Sequence, residues 1–511
     1  AAPKALAVAA LRPYRLPSAP SAPLARALAH PLATLPCCCT QALPLPLPLT
    51  LAARRHSATM DEPLLTEDEA EGRRGACCPA LQQGSVWGTA FNMCSATLGA
   101  GALSLPYAIQ HTGVVLGLLL LLGTALATQW SVELLVSAIT VTNVRSYEDL
   151  TVHLFGRKMG VFVEVNIIVF CFGTLVAYTV TVGDILRPVL QMCGGWEWMQ
   201  ACFNSTMSLG QVAAVLIFWG GLMLPLSLVD KMSALQCTSL FGVISLFYLV
   251  LSVIVHATWA SIAEPLPALE PIKLWSPSMS TFPAISIIMF AFTCQVNVPA
   301  LYEELQPRSP AKMRAVSLRA VGVCLLAYAL IGVAGYVDYP ASRHANLLLN
   351  YDVANEASAQ PMIPAYLAIT ITVLVAYPVN VFPCRYALDA LLFRRLCGLD
   401  KDPTRHRMVR HVGLTLLIAG SGLLIALYVP GINVVFQLMG GTGSAFICYM
   451  LPAAFAWKLQ LPQLRTIWGK AACLGLFFVG LIIGALSTTI TILNISSGSG
   501  GDAGNACNAT A

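Results

Sequence analysis

Two apolar stretches of this chain carry, near their middles, residues that interrupt a helix. The first runs Phe91-Asn92-Met93-Cys94-Ser95-Ala96-Thr97-Leu98-Gly99-Ala100-Gly101-Ala102-Leu103-Ser104-Leu105-Pro106-Tyr107. The second runs from Phe282-Pro283 through Phe290-Ala291-Phe292-Thr293-Cys294-Gln295-Val296-Asn297-Val298-Pro299. Where backbone leaves a helix inside an apolar phase, its N–H and C=O groups need partners from protein, water or a ligand. Around Thr97, Gly99, Ala100 and Gly101, the N–H groups opening the next half-helix suit a carboxylate, aided by the positive end of the helix dipole. Around Phe292, Thr293 and Cys294, carbonyls suit an ammonium group. Donors at one break and acceptors at the other match an α-amino acid, with Phe292 as a lid over it. Gly99 and Gly101 are expected to supply backbone dihedrals closed to other residues. The plainer alternative is that these small residues only let helices pack closely.

Ionisable side chains inside apolar spans are functional candidates by default. Glu164 falls within one span and Asp184 near the outer end of the same span; either is suited to carrying a proton, and Asp184 also to capping or pairing at the interface. Glu133 is expected to snorkel or pair at the inner interface. Glu303 and Glu304 are expected to line the inner pathway or pair with Arg308, as gating groups or simply as solvated ones, and Arg385 to anchor the topology or pair with an acid there.

The elements that must hold these residues are membrane spans. With 57% hydrophobic and 10% charged residues among 511, the chain is far from a soluble composition, and its mean hydropathy is +0.72. Eleven spans are expected, near 86–108, 114–138, 160–186, 210–229, 235–257, 282–302, 316–337, 361–381, 411–429, 433–457 and 471–493, the fourth and fifth joined only by Asp230-Lys231-Met232. With the N-terminus in the cytoplasm, eighteen Lys and Arg fall in or beside cytoplasmic loops and three (Arg187, Lys273, Arg343) on the other side. That asymmetry satisfies the positive-inside rule. The sequons at Asn204 and Asn508 both fall on the non-cytoplasmic side, as glycosylation requires. The net charge of +5 sits in short loops and does not point to nucleic acid. The 17 cysteines show no metal-ligand spacing; Cys193 and Cys202 share a polar loop in which they could pair.

Residues 1–59 are rich in Ala, Pro, Leu and Arg and hold no Asp or Glu, which fits either a transit-like leader or translated sequence ahead of a start at Met60. Residues 60–85 read as an acidic cytoplasmic tail in which Asp61, Leu64 and Leu65 match an acidic dileucine sorting signal. Residues 86–493 form the membrane domain and 494–511 a non-cytoplasmic tail.

The segment Leu98-Gly99-Ala100-Gly101-Ala102-Leu103-Ser104-Leu105-Pro106-Tyr107-Ala108 resembles the first-span motif of the amino acid/auxin permease family, which includes sodium-coupled neutral amino acid transporters of animals and vacuolar amino acid transporters of plants. Tyr178 to Leu186, Leu224-Pro225-Leu226-Ser227-Leu228, Pro299 to Leu305 and Pro378 to Arg385 extend the resemblance over all spans. It implies an all-α, eleven-span, LeuT-like fold. The layout adds two five-span halves in inverted repeat, with helices 1 and 6 discontinuous. Sodium-coupled members carry an Asn where this chain has Ser95, and a Thr before the first Pro of the eighth-span motif, where this chain has Val375, Ala376 and Tyr377. Ser95 with Thr370 or Thr372 and backbone carbonyls would be the remaining sodium ligands; the GDIL context of Asp184 occurs in vacuolar-type relatives.

The expected function is secondary active amino acid transport by alternating access, coupled to protons or to sodium and needing no other cofactor. The alternative is an amino acid-sensing transceptor of the same fold. No nucleophile–base pair, phosphate loop or metal cluster supports an enzyme. The expected partners are an amino acid and the bilayer, with the chain monomeric. Its expected address is a vacuolar, endolysosomal or plasma membrane, or an organellar envelope should residues 1–59 be a transit peptide.

Overall fold

The computed structural model describes residues 84–192, 215–228, 236–263, 272–342, 344–351, 362–396, 404–428 and 432–497. Asp61, Leu64, Leu65, Cys193, Cys202, Asn204, Asn508 and the Asp230-Lys231-Met232 link lie outside them.

Among the described residues the chain is helical. The first interrupted stretch forms α1 (Val86–Thr97), a 3₁₀ turn over Ala100–Ser104, and α2 (Leu105–Thr112). There follow α3 (Val114–Thr142), α4 (Tyr147–Phe155), α5 (Arg157–Met192), α6 (Val215–Ser227) and α7 (Gln236–Ala263). The second interrupted stretch forms α8 (Thr281–Ala291) and α9 (Val298–Glu304). The chain continues through α10 (Pro310–Asp338), α11 (Ile363–Asp389), α12 (Thr404–Ala426), α13 (Ile432–Leu459) and α14 (Ile467–Ser496). Eight of these, α3, α5, α7 and α10 to α14, are long and apolar enough to cross a membrane. The two broken pairs and α6 account for the other three expected spans.

The helix α4 was not foreseen, because nine residues are too few for a span. Ser146 caps it by accepting the Asp149 N–H at 3.0 Å, and Glu148 and Asp149 sit in its first turn. The Tyr147 hydroxyl donates to the Ile447 carbonyl at 2.6 Å, fixing α4 beneath α13.

The core forms where the interrupted stretches meet the long helices. Helix α5 packs along α11, α7 against α11 and α10, and α10 against α1, α2 and α3. In α13 the stretch Gly440–Met450 widens to π-helical geometry. Gly440 lies against the Ser286 carbonyl of α8 so closely that a side chain there would overlap it. At the basic end of the bundle Glu133 meets Arg314 at 3.0 Å, and Glu303 pairs with Arg308 and, at 3.7 Å, with Arg145. These pairs are partly exposed and contribute little stability. Arg385 is buried on α11 and donates to Thr415 Oγ1 (3.0 Å) and the Ser227 carbonyl (3.4 Å), with His411 Nε2 at 3.2 Å. It therefore ties α11 to α6 and α12.

Candidate functional site

The first helix ends at Thr97, and its capping residue Leu98 already has ψ 84°. Gly99 follows in extended backbone, φ −120° and ψ −158°. Any residue can adopt that conformation, which corrects the expectation that the glycines supply special dihedrals. What Gly99 supplies is space: a Cβ there would overlap the Tyr178 hydroxyl of α5. Gly101 is less tight, its added Cβ lying 3.3 Å from the Ala291 Cα of α8. Small residues are needed because another element occupies the volume a side chain would take.

The second break begins after Ala291. Phe292 leaves the helix at φ −90°, ψ 7°, and a turn closes as the Asn297 N–H donates to the Cys294 carbonyl at 3.0 Å. Gln295 holds this turn from within. Its Oε1 accepts the Cys294 N–H at 3.0 Å, and its Nε2 donates to Ser131 Oγ of α3 at 3.3 Å. The Ser131 hydroxyl in turn donates to the Cys448 carbonyl of α13. The two breaks are joined by Tyr328 of α10, whose hydroxyl faces the carbonyls of Thr97 (2.8 Å) and Ala291 (2.9 Å).

Between the breaks lies a small cavity. Ala96, Thr97, Gly99 and Gly101 line it from the first break, and Phe290, Ala291, Thr293, Val296 and Asn297 from the second. Helix α5 adds Phe170, Thr174 and Tyr178, and α11 adds Asn380. Three lining threonines turn their protons away: Thr97 donates to Met93 O (2.7 Å), Thr174 to Phe170 O (2.9 Å) and Thr293 to Met289 O (2.9 Å). A hydroxyl committed as donor to its own helix offers oxygen lone pairs to its surroundings. Part of the lining is aromatic: the Phe170 and Phe290 centroids are 5.9 Å apart, and Phe290 stacks on Phe436 at 4.6 Å. No charged side chain lines the cavity among the described residues.

Of the seven residues expected to touch substrate, Thr97, Gly99, Gly101 and Thr293 line this cavity. Ala100, Phe292 and Cys294 are buried behind it, Phe292 with its ring edge-on to Tyr328 at 5.1 Å. Tyr178, Asn297, Asn380, Phe170 and Thr174 were not singled out from the sequence. A polar residue inside an apolar span was the available signal for Asn380; nothing marks Phe170 among the other aromatics.

Glu164 is buried on α5, six residues before Phe170, and Asp184 six residues after Tyr178. At 1.5 Å per residue each stands roughly 9 Å along the axis from the nearer cavity residue, toward opposite ends. Asp184 accepts from Asn346 Nδ2 at 3.2 Å. Ser95 and Thr372 are brought to one point on α7: a Cβ on Gly242 would lie 3.6 Å from Ser95 Oγ, and Thr372 Oγ1 donates to the Gly242 carbonyl at 3.2 Å. Thr372 also donates to Ala368 O of its own helix at 3.1 Å, and Thr370 donates to Tyr366 O at 2.7 Å.

Residues 82–493 match the family model described as transmembrane amino acid transporter protein. The chain belongs to that family. Relatives include the amino acid transporter AVT6E of Arabidopsis thaliana, 28% identical over 74% of this chain and 77% of its own length. Vacuolar amino acid transporter 5 of Schizosaccharomyces pombe is 27% identical over 81% of this chain and 96% of its own. Human solute carrier family 38 member 10 is 26% identical over 81% of this chain, which spans only 35% of that longer protein. The crystal structure of MhsT in complex with L-phenylalanine superposes with a TM-score of 0.54 at 14% identity, covering 81% of this chain and 99% of that one. The fold of this transporter family member is therefore LeuT-like, as the family resemblance implied. The chain is an integral membrane amino acid transporter by family, and its relatives are named as transporters rather than enzymes.

Proposed function

We propose that this chain is a secondary active carrier of a neutral α-amino acid, working by alternating access around the cavity between its two broken helices. The observation that carries this reading is the cavity lining. The start of the 3₁₀ turn, uncapped by a side chain, offers the N–H of the lining residue Gly101 to a carboxylate. The hydroxyl oxygens of Thr97, Thr174 and Thr293 offer acceptors to an ammonium group. A substrate side chain with a net charge would meet no charged partner there and would bear the cost of desolvation. The relatives named vacuolar transporters favour a vacuolar or lysosomal membrane.

For the driving ion we favour the proton, with Glu164 as carrier and Asp184 as the outer acid, since both lie on the helix that walls the cavity. Sodium is the second reading, favoured by the convergence of Ser95 and Thr372 on Gly242. Uptake of labelled amino acids into proteoliposomes, under a proton or a sodium gradient in separate runs, tests both. Accumulation driven by the proton gradient and indifferent to sodium supports the first. Sodium-driven accumulation transfers coupling to the Ser95–Thr372 region. Binding without accumulation under either gradient overturns transport in favour of a sensing role.

A further inference from the structure

Helix α9 starts at the second break and carries Asn297, Ala300, Leu301 and Glu304 at spacings of three and four, which set them on one face. On α1 the same spacing aligns Asn92, Ser95 and Ala96. The two faces meet around a second small cavity, completed by Ser239 of α7 and Val379 of α11. Ala96 and Asn297 belong to both linings, so this cavity adjoins the central one. Glu304 lies roughly 10 Å along α9 from Asn297 at 1.5 Å per residue, toward the basic end of the bundle where Glu303 meets Arg308.

The lining differs from that of the central cavity in holding a carboxylate. Glu303 is paired with Arg308 and Arg145, but Glu304, one residue on and facing the cavity, forms no ion pair or hydrogen bond among the described residues. Ser95 is 4% exposed, and its hydroxyl likewise has no hydrogen-bond partner among them. The side-chain amides of Asn92 and Asn297 are also unengaged there. No cationic side chain lines this cavity among the described residues. A half-buried carboxylate without a counter-charge, beside a buried hydroxyl without a partner, is matched by a cation that brings its own donors.

We propose that this second cavity is an ammonium-binding site on the path away from the central cavity, with Glu304 as its counter-charge. The identity of the occupant, the α-ammonium group of the substrate, rests on the transport reading; the site itself does not. An ammonium group has three donors and no acceptor. On leaving the hydroxyl oxygens of Thr97, Thr174 and Thr293 it must meet new acceptors or bear the cost of desolvation. Glu304, Ser95 Oγ and the side-chain oxygen of Asn297 supply them at the next station. Glu304 attracts the ammonium and repels the substrate carboxylate, in surroundings that screen charge less than bulk water does. The amino end therefore leads, passing Asn297, which both cavities share. A free alkali cation has the same charge but no N–H donors, and the two are told apart by experiment.

The test uses the full chain in lipid nanodiscs with a cysteine reporter, Ala300→Cys, at an exposed position of the lining. Modification of the reporter by a neutral methanethiosulfonate reagent, with the wild type as blank, is followed in methylammonium, sodium or choline chloride at one ionic strength. Methylammonium should slow the reaction, and sodium should protect no better than choline. With Glu304→Gln added, the half-protecting methylammonium concentration should rise on the order of tenfold. Glu304→Asp, which keeps the charge, and Glu303→Gln, which leaves Glu304 in place, should retain most of the protection. No protection by methylammonium, protection by sodium in its stead, undiminished protection in Glu304→Gln, or an equal loss in Glu304→Asp or Glu303→Gln overturns the proposal. Because neither substrate nor gradient is used, that failure is separate from any failure to find uptake.

Discussion

The hydroxyl of Tyr328 lies 2.8 Å from the carbonyl of Thr97, the last residue of the first half-helix, and the same hydroxyl lies 2.9 Å from the carbonyl of Ala291, the last residue of its counterpart. One proton is shared between two helix ends whose carbonyls have lost their partners along the helix. Helix α10 thereby fixes the separation of the two breaks, and with it the size of the cavity. In Tyr328→Phe the buried Ala291 carbonyl loses this donor while that of Thr97 keeps the Gly99 N–H at 3.0 Å, a change that costs about 1–3 kcal/mol. The expected result is a lower melting temperature together with slower uptake; an unchanged melting temperature would remove Tyr328 from this role.

Gly99 and Tyr178 form a second coupled pair. Adding a methyl group at Gly99 forces the Tyr178 ring aside, an overpacking that costs about 1–3 kcal/mol. Gly99→Ala should cut uptake at least about tenfold. Removing the obstructing oxygen should relieve part of the clash, so the Gly99→Ala, Tyr178→Phe double variant should transport better than Gly99→Ala alone. Strictly additive losses in the double-variant cycle would contradict the contact.

In the proposed site Thr293 receives the substrate ammonium while its hydroxyl pairs with Ser444 Oγ at 2.8 Å. Thr293→Val keeps the shape and deletes the acceptor. A hydrogen bond to a charged group contributes about 1.5–3 kcal/mol, so the Michaelis constant should rise roughly ten- to a hundredfold. Uptake kinetics at saturating and limiting substrate would show it.

Much of the layout was legible beforehand, and the reason is physical. Spans follow from apolar length, and the breaks from Gly-Ala-Gly and the polar Thr293-to-Asn297 run inside apolar stretches, so both broken helices fall where the residues place them. Which residues of α5 and α11 form the cavity wall was not legible. Tyr178 points at Gly99 only because two helices far apart in sequence cross there, and Gln295 is matched to Ser131 across a comparable gap. The role of the glycines was misjudged for the same reason, since a single chain does not reveal which neighbour claims the missing side chain's volume. The Tyr328 bridge is invisible for that reason too, one tyrosine among several in apolar spans.

The role proposed for Glu164 separates coupling from carriage. Glu164→Gln keeps the side chain's size but cannot ionise, so proton-driven accumulation should vanish while exchange of labelled for unlabelled substrate continues. Accumulation that persists in Glu164→Gln would transfer the coupling role away from it, and Ser95→Ala under a sodium gradient would then be the informative comparison.

The central claim is that a neutral amino acid is carried through the cavity between the two breaks, and counterflow tests it without assuming any driving ion. Proteoliposomes preloaded with each unlabelled neutral amino acid are given a trace of the labelled one outside. Wild-type protein should concentrate label inside for at least one of them, and Gly101→Leu, whose side chain would fill the space against Ala291, should show none at equal expression. Absence of counterflow in the wild type for every amino acid, or undiminished counterflow in Gly101→Leu, would contradict the account.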